Sequence, residues 1–446
     1  MHYLPASGED IKRMLGAIGA PGVDALFSSI PKDLRLSTPL PIPAGIAESK
    51  VKERFALRAA KNTVASCFPC FLGAGAYDHY VPAAVDAVLS RSEFYTSYTP
   101  YQPEMAQGTL QAIFEFQTMM AGLTGMDVSN ASLYDGASAT AEAALMASRI
   151  RKGRKILVAR SLHPSYRAVL KTYVKRLGLQ VEEVPFGSDG RVDLEAYAKA
   201  AAGACVFLVG QPNFFGVVEE VKAIAEVAPQ GEKPLVAAVV SEALSLAAIE
   251  PPGRQGADIC VGDARSFGLP IGFGGPYLGF MTAKKEFMRQ MPGRICGETV
   301  DADGRRGFVL TLTTREQHIR REKATSNICS NQGLCMLGAT VYLALMGRKG
   351  LTELARQNLS KAEYLKQQLK AKGVKPIFGG PTFNEFAVSI RGADKVNKAL
   401  FKKGIIGGYA MGKDYPEFKD GYLLCATEQT TKDGCDKLVA ELGGAE

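Results

Sequence analysis

Between residues 154 and 283, short apolar runs alternate with longer stretches of helical pattern. The runs are 155–159, 179–184, 205–209, 235–240, 257–261 and 277–282, with helical stretches such as 166–176, 194–202 and 218–228 between them. Continuous apolar strands separated by helices predict a mostly parallel sheet covered on both faces. Upstream, Ser7-Gly8-Glu9-Asp10 reads as the capped start of a helix over 11–18. A helix over 105–124 is apolar at Leu110, Ile113, Phe114, Phe116, Met119 and Met120, with Gly122 and Gly125 closing it. The stretch Asn130 to Thr140 leads into an alanine-rich helix that runs to Ile150. Beyond residue 330, two long helical stretches (334–347 and 351–373) precede strands at 386–390 and 422–426 and helices at 394–403 and 431–442. That tail reads as α+β, with helices on one face of its sheet. The predicted organisation is an N-terminal arm (1–60), a large α/β domain (61–330), and bridging helices with a small C-terminal α+β domain (331–446). The arm carries too little apolar surface to fold alone, so it is expected to wrap a partner subunit or the large domain.

Composition narrows the class without naming a function. At 446 residues, 46% hydrophobic and 22% charged, the chain is an ordinary globular one. No apolar run approaches the length of a membrane span and no leader pattern opens the chain, so a cytoplasmic protein is expected. Nine scattered cysteines are an odd number, which argues against a complete disulfide framework. Cys67-Phe-Pro-Cys70 has no second pair at zinc spacing, and no metal is expected. The net charge of +8 is modest, with basic clusters at 151–155, 315–323 and 402–403. They lack the aromatic interleaving that suits nucleic acid, so they are solvated faces or attract an acidic protein.

Five stretches carry candidate chemistry. In Gly256 to Phe280 a strand runs into Asp263-Ala264-Arg265-Ser266-Phe267, then a glycine- and proline-rich return (Gly272, Gly274, Gly275, Pro276) and another strand. Such a loop stands at the carboxyl edge of an α/β sheet, where ligands bind. Arg265 is either a turn residue paired with a surface carboxylate or the mark of an altered site. Lys284 and Lys285 lie past the loop and read as a solvated helix start. Around residues 77–101, Tyr77, His79, Tyr80, Tyr95, Thr96, Tyr98 and Tyr101 sit among glycines and prolines, and Pro100 and Pro103 place them on loops. Such aromatics either cover the protein's own core or wall a pocket between subunits. At the start of the alanine-rich helix, Asp135 would take the free amides itself and repel an anion, so Asp135 or Ser138 is an N-cap. His163, in a loop after the first strand, reads as a helix-start hydrogen-bond partner. Ser241-Glu242 follows the strand 235–240; Ser241 carries no charge, and Glu242 should point the other way.

These stretches together resemble the glycine decarboxylase (P-protein) family of fold-type I pyridoxal phosphate (PLP) enzymes. The likeness is densest in 67–140, in 256–280, and in 320–333, which contains Thr325-Ser326-Asn327-Ile328-Cys329. It implies a PLP-dependent transferase-like fold and the N-terminal-half subunit of the two-subunit form. In that family a lysine forms the Schiff base with PLP; here Arg265 stands in its place, and a guanidinium stays protonated and cannot do so. By the same resemblance Asp135 replaces the serine of the phosphate turn and Ser241 the aspartate facing the pyridinium, while His163 matches the position of the ring-stacking histidine. The implied partners are a PLP-bearing second subunit (in an α2β2 assembly), glycine and lipoylated H-protein, with neither nucleic acid nor membrane. Tyr95, Thr96, Tyr98 and Tyr101 would wall the partner's site, and Gly272, Gly274, Gly275 and Pro276 would approach its cofactor. The alternatives are an autonomous PLP enzyme using another lysine, and a structural or regulatory pseudoenzyme.

Overall fold

The computed structural model describes residues 6–62, 64, 67–227, 233–272 and 274–443. Contacts divide the chain into two compact units, Met1–Thr63 and Val64–Glu446. In the first unit, Ser7 caps α1 (Gly8–Ala17) through a reciprocal box with Asp10, and a second helix, α2, spans Glu48–Ala59. None of its described residues is buried.

In the second unit, α3 (Ala83–Leu89) and α4 (Ser92–Tyr95) carry the chain to α5 (Gln107–Thr124) and the short β1 (Val128–Ser129). Gly125 ends α5 in the left-handed region, φ 69°, while Gly122 lies inside the helix. Then follow α6 (Gly136–Arg151), β2 (Lys155–Ala159), α7 (Pro164–Val174), β3 (Gln180–Val184), α8 (Leu194–Ala200), β4 (Ala204–Gly210), α9 (Val221–Val227), β5 (Leu235–Val240), β6 (Ile259–Asp263) and β7 (Gly279–Ala283). The strands form one seven-stranded sheet ordered β1-β7-β6-β5-β4-β2-β3. Neighbours from β3 to β6 are parallel; β7 is antiparallel to both β6 and β1. Every residue of β4, β5 and β6 is buried, which is why their sequences are continuously apolar rather than alternating.

Alternate residues serve opposite faces, since side chains along a strand point to the two sides in turn. Ile156, Val158, Val206, Leu208, Ala237, Val239, Ile259 and Val261 pack with Ala139, Ala143 and Ala147 of α6 and with Leu170 of α7. Leu157, Phe207, Val209, Val236, Ala238 and Val240 pack on the other side against Phe116 of α5 and later helices. The alanines of α6 set the geometry of the candidate site: they let that helix lie close to the sheet, with its N-terminus at the ends of β6 and β7.

A hairpin of β8 (Ile295–Val300) and β9 (Arg306–Thr311) and the four-residue α10 (Gln317–Arg320) follow. The hairpin had no counterpart in the predicted elements, because its outer half is exposed and charged. Its Asp301-Ala302-Asp303-Gly304 turn was the available signal. The helical run α11 (Gly333–Ala371) is broken at Gly347, φ 55° and ψ −176°. It leads to β10 (Glu385–Ser389), α12 (Ala393–Lys402), β11 (Tyr409–Ala410), β12 (Gly421–Cys425) and α13 (Lys432–Leu442). One face of the antiparallel sheet β10-β12-β11 packs on α11, α12 and α13. Its other face meets Phe214, Phe215 and Val217, from the loop after β4, together with Tyr415.

Candidate functional site

The site grows from the carboxyl end of β6 and the N-terminus of α6. Asp263, the last residue of β6, is buried and accepts hydrogen bonds from the Arg265 amide (2.9 Å) and the Gly136 amide (3.2 Å). Burial pushes its carboxyl up to about 7, opposed by those amides and by Arg265. Asp135 caps α6, accepting from the Ser138 amide at 2.7 Å, while Ser138 Oγ closes the capping box. Two carboxylates of the chain itself therefore take the amides that an anion would need.

Arg265 is 4% exposed, so it is not a surface turn residue. Its guanidinium donates to the carbonyls of Tyr77 and Leu269 and lies 5.7 Å from the Tyr277 ring centroid. Lys284 is bound to Asp258 rather than free in solvent. His163 caps α7: Nδ1 accepts from the Ser165 amide and Nε2 meets the Ala74 carbonyl at 2.9 Å, which places the proton on Nε2. Its ring stacks on Tyr166 at 4.9 Å and meets the Phe214 ring edge-on. Burial lowers its basicity, so it packs as a neutral ring. A methyl group on Gly136 would lie 2.4 Å from the Tyr166 hydroxyl, and one on Gly75 2.7 Å from His163 Nε2. Space over the α6 turn is filled by these rings.

A PLP group does not fit this arrangement. The first turn of α6 is closed by Asp135 and Asp263, His163 is stacked on a tyrosine, and the side chain at position 265 is a buried guanidinium.

A second constellation joins the loop before α3 to the segments that follow β5 and β12. His79 bridges Glu242 (Nε2, 3.0 Å) and Glu428 (Nδ1, 2.8 Å), all three side chains being buried. Burial opposes its charge, but the two carboxylates outweigh it and raise its pKa to about 10. Glu428 is lowered to about 2 by the same pairing, against burial. Glu242 was expected to point away from the site. Instead it turns into this cluster, because β5 ends at Val240 and strand alternation no longer applies beyond it. Ser241 is half-buried and lies outside the cluster's hydrogen bonds. Glu385 accepts from Tyr77 Oη (2.7 Å) and the Ala74 amide (2.6 Å), where Ala74 has a positive φ of 55°.

The tyrosine segment stands apart. Tyr95 and Tyr98 are 69% and 85% exposed, and Thr96 Oγ1 is spent on the Ser92 carbonyl. Tyr101 is held by Arg294, at 3.1 Å, and packs edge-on against His318. A cavity of about 230 Å³ lies between Tyr95 and Tyr98 on one side and Ser330, Asn331 and Gly333 on the other. The glycine loop is a tight exposed turn, with the Gly275 amide on the Gly272 carbonyl and Gly274 at φ 92°. Phe273 lies outside the described residues. The structure thus gathers Arg265, Asp135 and His163 through Asp263 and Tyr166, and leaves Ser241 and the tyrosines outside that group. Sequence reasoning missed Asp263, Tyr166, Glu385 and Arg294. Of these only Asp263 stood within a stretch already singled out.

The family profile described as glycine cleavage system P-protein matches residues 1–442. The chain belongs to this P-protein family. Relatives named probable glycine dehydrogenase (decarboxylating) subunit 1, from Bacillus cereus and Bacillus thuringiensis, are 51% identical over 99% of this chain and 98% of their own length. A crystal structure of the glycine decarboxylase (P-protein) of the glycine cleavage system, in inhibitor-bound form, matches at TM-score 0.90 and 42% identity over the whole of both chains. A cysteine desulfurase from Thermococcus onnurineus matches at TM-score 0.61 and 17% identity, a likeness of fold alone. The P-protein fold here, a large mostly parallel sheet in an α/β chain, is that of the fold-type I PLP-dependent enzymes, as the matched structures show. Among the described residues, no helix of this P-protein chain is long and apolar enough to cross a membrane.

Proposed function

We propose that this chain is the subunit of a two-subunit glycine decarboxylase that holds no cofactor of its own and completes its partner's site. The partner would carry PLP and the Schiff-base lysine, in an α2β2 cytoplasmic assembly. That assembly would decarboxylate glycine and pass the aminomethyl group to the lipoyl arm of H-protein. PLP bound to the partner supplies the electron sink that makes loss of CO2 possible. This chain's part is to shape and dry the site: the phenols of Tyr95, Tyr98 and Tyr101, the Thr96 turn, and the backbone of Gly272, Gly274, Gly275 and Pro276 form the wall.

The observation that carries this reading is the buried Arg265 guanidinium, at a place where the family's chemistry needs an amine. The naming of the relatives as subunit 1 supports a second subunit. The test is to produce the chain with and without a lysine-bearing P-protein subunit and to follow glycine–CO2 exchange. Activity only in the mixture, with borohydride fixing PLP to the partner alone, is the expected result. PLP fixed to a lysine of this chain, with turnover in isolation, would establish an autonomous enzyme. Full exchange in a Tyr95→Phe/Tyr98→Phe variant at complete assembly would reduce the chain to a scaffold.

A further inference from the structure

Arg294 immediately precedes β8, is 2% exposed, and spends its guanidinium on three separate segments. Nη2 donates to the Tyr101 hydroxyl and to the Cys329 carbonyl, both at 3.1 Å. Nη1 donates to Ser330 Oγ at 2.9 Å and reaches Asn331 Oδ1 at 3.5 Å. Nε faces Glu316, 3.4 Å away and also buried. The guanidinium lies 5.3 Å from the centroid of the Tyr101 ring, whose edge meets His318. Its own carbonyl accepts from the Ala131 amide, and Asn331 Nδ2 donates to the Ala131 carbonyl, so the frame behind it is closed.

These bonds join the two sides of one cavity. Tyr98, Thr99 and Pro100, just before Tyr101, line one side, and Ser330 and Asn331 line the other. We propose that Arg294 is a positioning residue that pins the tyrosine segment to the Cys329–Asn331 turn, and so sets the shape of the wall offered to the partner subunit. The inference rests on the proposed function above. A planar fork with five donors can serve a phenol, a hydroxyl and a carbonyl at once, whereas an ammonium acts as a single point charge. Lysine at 294 would keep the charge opposite Glu316 and lose the pin.

The test uses Arg294→Lys and Tyr101→Phe in the full chain and in the assembled enzyme. The phenol of Tyr101 is half exposed, so its loss leaves folding intact even where Arg294→Lys does not. In the isolated chain, amide hydrogen exchange in residues 97–101 and 326–332 should rise about tenfold in Arg294→Lys, with β4 and β5 unchanged. In the assembly, the oligomer should keep its mass while kcat/KM for glycine–CO2 exchange falls about a hundredfold, the scale of a small misplacement at a reacting centre. Tyr101→Phe should fall by a smaller factor, and the double variant should be no worse than Arg294→Lys alone. Unchanged hydrogen exchange overturns the pin whatever the partner does. Faster exchange with wild-type kcat/KM, or strictly additive losses, overturns the positioning role. A wild-type pair without activity removes the reading beneath it, and the proposal with it.

Discussion

Arg265 answers for the chemistry at the scale of a single residue. Its guanidinium is bonded to two carbonyls and covered by Tyr277, so it serves as a buried brace between the β6 loop and the Tyr77 loop. Restoring an amine should not restore cofactor binding, because Asp135 and Asp263 still occupy the α6 turn. Arg265→Lys is therefore expected to show no visible PLP band and no borohydride-fixed adduct, and to lose about 1–2 kcal/mol of stability with its hydrogen bonds. A stable adduct on the introduced amine would mean that the turn is open after all. His79 gives the second prediction at this scale. Its folded pKa, about 10, lies above the ordinary 6.5, so its pairing with Glu242 and Glu428 stabilises fully below about pH 6.5 and is lost as pH rises through 10. Replacement by glutamine leaves two buried carboxylates without their cation, at a cost of about 3–5 kcal/mol near neutrality. The penalty should shrink towards pH 10, measured by urea denaturation of both proteins across that range. A penalty independent of pH would show that the imidazole is held neutral.

Among the elements, α11 offers the sharpest test. The run Gly333–Ala371 crosses Gly347, whose φ of 55° and ψ of −176° suit glycine alone, and nothing lies within 4 Å of where a methyl group would stand there. Gly347→Ala should therefore cost about 1–3 kcal/mol through backbone strain and not through a clash. A thermal midpoint unchanged by that substitution would show that the two helices can fuse. The sequence carried this break legibly, as two helical stretches with Gly347 at the end of the first. It carried the parallel core equally well, because strands buried on both faces leave continuous apolar runs such as Leu235–Val240. The β8–β9 hairpin was illegible by the same logic: Glu298, Thr299 and Val300 face solvent, and of the pairing strand only Phe308 is fully buried. At the site, the N-cap role of Asp135 and the oddity of Arg265 could be read from residue chemistry. The filling of the pocket by Tyr166 and His163 could not, since it depends on where α7 lays two rings against the start of α6. Arg294 was hidden for a related reason. A lone arginine before a short apolar run has no local pattern, and its partners lie at positions 101, 316 and 330.

For the whole molecule, the first unit makes the decisive prediction. Its helices and the residue capping the first of them carry Ile11, Met14, Ile18, Phe55 and Leu57, all more than a third exposed, and none of its described residues is buried. Apolar side chains exposed at this density mark a surface that meets something else. Under the proposed function, in which this chain completes a partner's site, the economical reading is that the arm closes around the assembly. Removing residues 1–62 takes away no side chain described as buried, so the shortened chain should melt within about 2 °C of the full one. It should, however, no longer co-elute with the PLP-bearing subunit in size-exclusion chromatography, and the exchange activity of the mixture should fall with it. Both measurements are needed. A shortened chain that melts early would show that the arm supports its own chain. One that assembles with full activity would show that the exposed apolar side chains play no part in subunit recognition, leaving the tyrosine wall and glycine loop as the contacts that hold the partner.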